Sequence, residues 1–515
     1  MVSNNRCKMF RILFSLLIMA MLPLCSKAQE EFSVVRGQCM PDAADAAGAA
    51  AHRAPQRLPA VNKQWDADRV YKQMVILFEF TDSTFQDEEP RAYYDKLFNE
   101  PGFASRHSKG CVADYFRDQS GGLFNLSFDI YGPVQVSQQA QPYDAPTATT
   151  RNYGKTSIAE AVKKVLEANP AVDYSQYDWN NDGIIEQVIC IYASLPGNLS
   201  SSTYGHIWPN TSTISTVTTP DGWKISNYSC SGEHWPTKNK TRCGLGTIAH
   251  EFTHSLGLPD IYLTDGTKDN IVVDTWDLMD GGNYLDYGFC PPNYSALEKM
   301  LLGWLESVEL TEPMTAEGLT YGTVYRITNT QDDYYLLENR CQTGWDEGLP
   351  GQGLVIWHVR YDAGKWTANL VNDATTKRFD LVHADGLDYY AWEDKIGKEG
   401  LGTYSPNKKG NMMNYNALST SPFPYLPVTG DPVTSFTEVA GKAVTNIRTN
   451  ADGSVSFDFM GGATAVEAVL MHGAVDDGGI CDLSGRRVQT PLPGRLYLVR
   501  LQDGTIRKII YNHVK

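Results

Sequence analysis

The chain predicts an α/β (α+β) domain followed by an all-β, sandwich-like domain and a small β-rich C-terminal domain. Two observations carry the first part. Met74 to Phe80 is an apolar run of strand length, and Ser157 to Ala168 places Ile158, Ala161, Val162 and Val165 on one helical face before a second apolar strand from Glu186 to Tyr192. Strand, helix and strand in that order read as an α/β layer. The third observation is a change after Leu310, where short β-type runs appear at Thr323 to Thr328, Tyr334 to Asn339, Leu354 to Val359 and Ser454 to Met460. Gly, Pro, Asn and Asp clusters separate them, which is the pattern of an all-β sandwich. At 515 residues the chain has room for about three domains of roughly 100–200 residues each.

Taken in order, residues 1–28 read as a secretory signal: Arg6, Lys8 and Arg11 form a positive start, Ile12 to Leu24 an apolar core, and Ser26-Lys27-Ala28 a small-x-small cleavage site. The competing readings are a membrane anchor and a lipoprotein carrying its lipid on Cys25. The apolar stretch is short for a bilayer span, and Leu24 stands where a lipidation signal wants a small residue. No later stretch is apolar enough to span, so no integral membrane segment is expected after signal removal. Residues 29–70 read as a loosely ordered prosegment, 71–309 as the α/β domain, 310–462 as the β-rich domain and 463–515 as the terminal one. Within the α/β domain, Pro196 to Ser226 reads as a Ser/Thr/Gly/Pro-rich loop region.

The charge balance is 44 Lys+Arg against 60 Asp+Glu, a formal −16, which argues against a nucleic-acid or anionic-membrane partner. Ten cysteines are present, two of them, Cys7 and Cys25, in the signal. With no CxxC pair a zinc ribbon is excluded. Cys230 with Cys243 is the preferred bridge, whereas Cys190 reads as a buried apolar cysteine.

The segment from Ile248 to Asp260, IAHEFTHSLGLPD, carries the chemistry. His250 and His254 lie four residues apart, about 400° of helix, so both rings leave one face and can grip one Zn²⁺. Glu251 lies beside them, placed to take a proton from a water held by the ion. A catalytic zinc wants three protein ligands and one open position. Gly257 lets the helix end in a left-handed turn, Pro259 forbids its continuation, and Asp260 can then be presented as the third ligand. The competing reading is an amphipathic helix with two exposed histidines.

These residues resemble the immune inhibitor A-like secreted metallopeptidases of the metzincin clan. The pattern H-E-x-x-H-x-x-G-x-x-D matches at His250, Glu251, His254, Gly257 and Asp260, and Trp276-Asp277-Leu278-Met279-Asp280 looks like the family's Met-turn. The resemblance implies that Met279 packs beneath the zinc; the plain alternative is a core methionine. Many metzincins carry a tyrosine two residues after that Met, where this chain has Gly281, leaving Tyr284 as a weak candidate for such a role. The resemblance covers roughly residues 70–460, through blocks such as Val112 to Tyr131, Ile207-Trp208-Pro209 and Gly353 to His358. His358 itself ends an apolar strand and is expected to be structural or to support other residues.

Three further features complete the reading. Asp178-Trp179-Asn180-Asn181-Asp182-Gly183-Ile184-Ile185-Glu186 follows the start of a calcium loop, with oxygens from Asp178, Asn180, Asp182, the Ile184 carbonyl and Glu186. The alternative is an Asp/Asn-Gly turn without an ion. Cys39, in Gln38-Cys39-Met40-Pro41-Asp42, is similar to the cysteine switch of matrixin prosegments and is a candidate latency ligand. The stretches Ile480 to Val488 and Gly494 to Val499 look like the sorting domain of the bacterial type IX secretion system, implying an outer-membrane secretion partner; the alternative is a small stabilising β-domain. The expectation is a secreted bacterial zinc endopeptidase made as a precursor, acting on proteins, with Zn²⁺ and Ca²⁺ as its ions. The alternative is a catalytically silent adhesion protein on a protease scaffold, against which the intact Glu251 argues.

Overall fold

A computed structural model describes residues 65–140, 153–199, 207–265, 270–399, 417–462, 475–482, 486–488, 496–501 and 506–510. The signal, nearly all of the prosegment and Cys39 lie outside the described residues.

The described chain forms two compact units. One comprises the described residues of Met1–Glu309 and Thr320–Val433, the other those of Leu310–Leu319 and Thr434–Lys515. The first unit is built on β1 (Val70–Glu79), the strand expected from the run at Met74. Its side chains alternate between two cores: Val75 and Leu77 enter one, Met74, Ile76 and Phe78 the other, because successive side chains of a strand point to opposite faces. β2 (Asn125–Gln135) and β3 (Val188–Tyr192) flank it in parallel.

The sheet then departs from the sequence reading. The Ser/Thr-rich stretch expected as loop, Pro196 to Ser226, holds β4 (Asn210–Thr218) and the start of β5 (Lys224–Gly232), which pair antiparallel. Thr211, Thr213, Ile214, Thr216 and Val217 are β-branched and favour extended backbone, and Gly222 closes the turn with φ +101°. The final order is β2-β1-β3-β5-β4, with β5 parallel to β3 and β4 on the edge.

Helices cover both faces. α1 (Pro90–Asn99) and α2 (Val112–Gln119) lie on the Val75 side. α3 (Tyr153–Ala168) brings Ile158, Ala161, Val162 and Val165 to the other, as the periodicity requires. α4 (Gly246–Leu256) returns to the first face, where Ala249, Phe252 and Leu256 are buried. α5 (Ala296–Leu301) follows behind a capping box made by Ser295 and Glu298.

A second sheet belongs to the same unit: β6 (Val308–Glu309), β8 (Val324–Thr330), β9 (Asp333–Arg340), β10 (Gly353–Arg360) and β11 (Phe379–Leu381), in the order β11-β10-β9-β8-β6. Its apolar residues Leu336, Val355, Trp357 and Phe379 share one continuous core with Phe252, Trp276 and Met279 of the first sheet's helical side. The expected 310–462 span is therefore divided between the units. Strand-type spacing reports local backbone geometry and is silent about which core the apolar face enters.

Buried charge joins these parts. Arg340, at the end of β9 and fully buried, donates to both oxygens of Asp346 at 2.6 Å and to the Asn293 carbonyl at 3.1 Å, and lies 3.5 Å from Glu338. Asp346 accepts the Asn293 N–H at 2.9 Å. The next residue, Tyr294, shares a short hydrogen bond with Thr253 of α4, so the network reaches the helix that bears the histidines.

The other unit contains β7 (Met314–Leu319), β12 (Val444–Thr449) and β13 (Val455–Phe459) in one antiparallel sheet with β13 central. It also contains β14 (Val475–Cys481), β15 (Arg487–Val488), β16 (Leu496–Leu501) and β17 (Ile506–Ile510) in another. Among the described residues no helix is long and apolar enough to cross a membrane.

Replacing Arg340 by Met leaves Asp346 and Glu338 buried beside each other without their cation. Uncompensated buried charge of this kind costs roughly 3–5 kcal/mol, so the urea midpoint of Arg340→Met is expected to fall accordingly; a midpoint equal to that of the native protein would show that the network carries no stability.

Candidate metal centre

The HExxH residues lie on α4, and the helix ends where the sequence requires. Gly257 takes φ +99°, and its N–H bonds the His254 carbonyl at 2.9 Å. This left-handed residue turns the chain so that Leu258-Pro259-Asp260 folds back toward the histidine face. His250, His254 and Asp260 each offer one ligand atom, all within 4.8 Å of one another, and all three side chains are buried. The two rings stand nearly perpendicular, 85° between planes, with centroids 4.9 Å apart.

Their hydrogen bonds decide which atoms face inward. His250 Nδ1 is 2.9 Å from the Leu278 carbonyl and His254 Nδ1 is 2.8 Å from the Leu258 carbonyl. A carbonyl only accepts, so both Nδ1 atoms carry a proton, and in the neutral rings it is Nε2 that turns a lone pair to the centre. Asp260 Oδ1 lies 3.2 Å from one Nε2 and 3.3 Å from the other. It is buried and accepts no hydrogen bond. Burial lowers the His254 pKa, but the Asp260 carboxylate outweighs it and lifts the value to about 9. The carboxylate thus draws positive charge between the imidazoles. A divalent cation answers the same demand and displaces the proton, so the donor set of two imidazoles and one carboxylate with an orphaned inward oxygen fits a zinc-type ion.

Glu251 shares the cleft. Burial raises its carboxyl pKa, while the two imidazoles pull it down. Thr211, the second residue of β4, approaches it with Oγ1 at 3.0 Å from Oε2 and 2.5 Å from the Glu251 carbonyl. The cleft is also lined by Asn198, Trp208, Asn283 and Tyr284. Asn198 donates to the Tyr284 hydroxyl at 3.0 Å, so the tyrosine five residues past Met279 reaches the site although Gly281 holds the usual position. Thr211 and Asn198 escape a sequence reading because neither sits in a spacing pattern; only the fold brings them to the motif.

Residues 61–302 match the immune inhibitor A peptidase M6 catalytic domain. The chain is 26% identical over 314 residues to "Immune inhibitor A" of Bacillus thuringiensis subsp. alesti, covering 52% of this chain and 45% of that protein. It is 25% identical over 264 residues to "Pre-pro-metalloprotease PrtV" of Vibrio cholerae serotype O1, strain M66-2, covering 46% of this chain and 28% of that protein. The match therefore spans less than half the length of either relative. These similarities support a metallopeptidase.

Behind the centre, the turn at Met279 is tied to the candidate ligands. Leu278 supplies the carbonyl that orients His250, and the Met279 carbonyl accepts the N–H of Ile261, next to Asp260. Met279 is fully buried in the shared core. Gly244 and Gly246 let the segment after the turn lie against α4: a Cβ on Gly246 would stand 2.1 Å from the Asn283 carbonyl oxygen. Below the turn, Asp277 and Glu298 are both buried and lie close enough for their charges to interact. Burial, then the neighbouring Asp280, raises the Asp277 pKa; burial, then Asp277, raises that of Glu298.

The remaining candidates separate from the centre. In the loop at Asp178, the side chains bind the loop's own backbone: Asp178 Oδ2 accepts from Gly183 N at 2.8 Å, Asn180 Oδ1 from Asp182 N at 2.9 Å, and Glu186 Oε2 from Trp179 N at 2.8 Å. Among the described residues only His250, His254 and Asp260 converge as a potential metal cluster. His358 bonds Asp333 at 2.9 Å and stacks on Tyr335, a structural role. The expected Cys230–Cys243 bridge is not formed, and both thiols are free. Cys230 faces the α3 side of the first sheet, whereas Cys243 packs with Trp235 and Tyr284.

The Asp277–Glu298 pair gives a pH test. With both folded-state pKa values raised, the pair holds its proton where the unfolded chain has released it. Its stabilisation is complete below the ordinary carboxylate value, about 4, and is lost as pH rises through the raised values. Glu298→Gln carries N–H at every pH, so its melting temperature relative to the native protein should improve from about pH 5 to about pH 8. A constant difference would reject the raised carboxyl values.

Proposed function

We propose that this chain is a zinc-dependent endopeptidase that hydrolyses peptide bonds of extracellular proteins. The observation that carries the reading is the convergence of His250 Nε2, His254 Nε2 and Asp260 Oδ1, with Glu251 in the same cleft. Bound zinc would polarise the substrate carbonyl and lower the pKa of a water to near neutrality. His250, His254 and Asp260 would hold the ion. Glu251 takes the proton of the attacking water and returns it to the leaving amine nitrogen, a task suited to a carboxyl whose pKa burial has raised. Thr211 keeps the Glu251 carboxylate turned into the cleft.

The similarity to "Pre-pro-metalloprotease PrtV" supports protein substrates and a precursor. The sequence of residues 1–28 supports export, and the four-stranded terminal sheet β14–β17 suits a secretion-related module. The loop at Asp178 is proposed to take Ca²⁺ after rearrangement of its side chains from backbone to ion, on the strength of its oxygen spacing.

The purified protein is expected to cleave casein, to lose activity to a zinc chelator and to regain it with added zinc. Glu251→Gln should lower kcat roughly 10²–10⁴-fold while the zinc content stays at one per chain. Undiminished cleavage by that variant would overturn the mechanism, and a fully folded, zinc-loaded native protein inert on casein and gelatin would favour the adhesion reading. For the loop at Asp178, millimolar Ca²⁺ should raise the melting temperature and EGTA reverse it; equal values in both would remove calcium from the account.

A further inference from the structure

Each inward-facing donor is held by a hydrogen bond to its other side, and for two of the three the partner is a nearby backbone carbonyl. The third is different. Asp260 is held by Asn369, 109 residues away and beyond the segment matched to the peptidase family, which ends at residue 302.

The contact is reciprocal. Asn369 Nδ2 donates to Asp260 Oδ2 at 2.7 Å, and Asn369 Oδ1 accepts the Asp260 backbone N–H at 2.7 Å. One primary amide has a donor and an acceptor side by side, which is what a residue presenting both a carboxylate and its own N–H requires. Because Oδ2 is taken, Oδ1 alone is turned to the imidazoles. The amide is neutral, so it fixes the carboxylate without cancelling the negative charge that a cation needs.

Asn369 is itself held firmly. It follows the short helix α6 (Ala363–Thr367), adopts φ +55°, a left-handed conformation that Asn tolerates, and receives the Thr264 hydroxyl on its carbonyl. Three residues on, the fully buried Asn372 donates to the carbonyls of Ile261 and Phe379 at 2.8 and 2.9 Å. That residue clamps the segment after Asp260 to β11. The loop from 369 to 372 is thus a template laid along residues 260–264.

We propose that Asn369 is a positioning residue for the metal: it fixes the Asp260 carboxylate to offer one oxygen, Oδ1, and thereby sets zinc affinity. This rests on the zinc reading above. It also makes the second sheet part of the metal centre, since the loop between β10 and β11 supplies the contact.

The test uses the full chain and zinc itself. Zinc affinity is measured by competition with a chromophoric chelator, and the melting temperature is recorded with and without zinc, for native protein, Asn369→Asp, Asn369→Gly and His254→Ala. Asn369→Asp sets two carboxylates against each other, while Asn369→Gly keeps the left-handed backbone and serves if the Asp variant does not fold. Loss of a group that orients a metal ligand weakens binding about 10–100-fold, so both Asn369 variants should bind that much more weakly and gain less melting temperature from zinc than the native protein does. If His254→Ala abolishes binding while a folded Asn369 variant binds zinc as tightly as native, the positioning role is overturned. If the native protein binds no zinc, or His254→Ala binds it unchanged, the zinc reading fails, and the proposal with it.

Discussion

Two imidazole nitrogens and a carboxylate oxygen converge from three buried side chains, and the charge this leaves to be balanced organises the rest of the site. A buried carboxylate is expensive unless a cation or hydrogen bonds answer it. Here Asn369 answers one oxygen of Asp260 and the other points at two ring nitrogens. The backbone carbonyls of Leu278 and Leu258 fix the ring tautomers, so the segments carrying those carbonyls must themselves be rigid. The buried turn at Met279, the left-handed Gly257 and the acidic pair beneath the turn serve that rigidity.

The two sheets of the first unit share this burden unequally. The mixed sheet β1–β5 supplies the platform under α4 and, through its edge strand, the threonine that touches Glu251. The sheet from β6 to β11 adds the hydrophobic backing of α4 and the asparagine behind Asp260. Arg340 ties the pieces with charge fully withdrawn from water, a connection that tolerates loss of either partner poorly.

How much of this could be read from the sequence follows from the range of each interaction. The motif residues His250, Glu251, His254, Gly257 and Asp260 were legible because helical period, a glycine stop and a proline lie within a dozen residues of one another. β1, β3 and α3 were legible for the same reason. The composition over β4 and the start of β5 suggests loop because Ser, Thr, Gly and Pro dominate there, although the β-branched members decide the backbone. The 310–462 span did not anticipate that β8 to β11 share a core with α4, since an apolar alternation does not name its partner. Thr211, Asn198 and Asn369 carry no local signal: a polar residue in a turn or at a strand start looks the same whether it faces solvent or a ligand. The cysteine pairing failed on similar grounds, as nearness in sequence placed Cys230 and Cys243 together while the sheet sends them to different cores.

The span between Asp260 and Asn369 also bears on the order of events during synthesis. The loop-closure cost of joining two such distant points grows only slowly with separation, so the contact is affordable in the finished fold, but it has no substitute earlier. While the first 302 residues emerge, the histidines and Glu251 already exist in the chain, yet the amide that fastens the third carboxylate has not been made. A nascent chain would pass through a stage with its proton-transfer group present and its carboxylate unfastened, and assembly of the centre would follow the arrival of the second sheet.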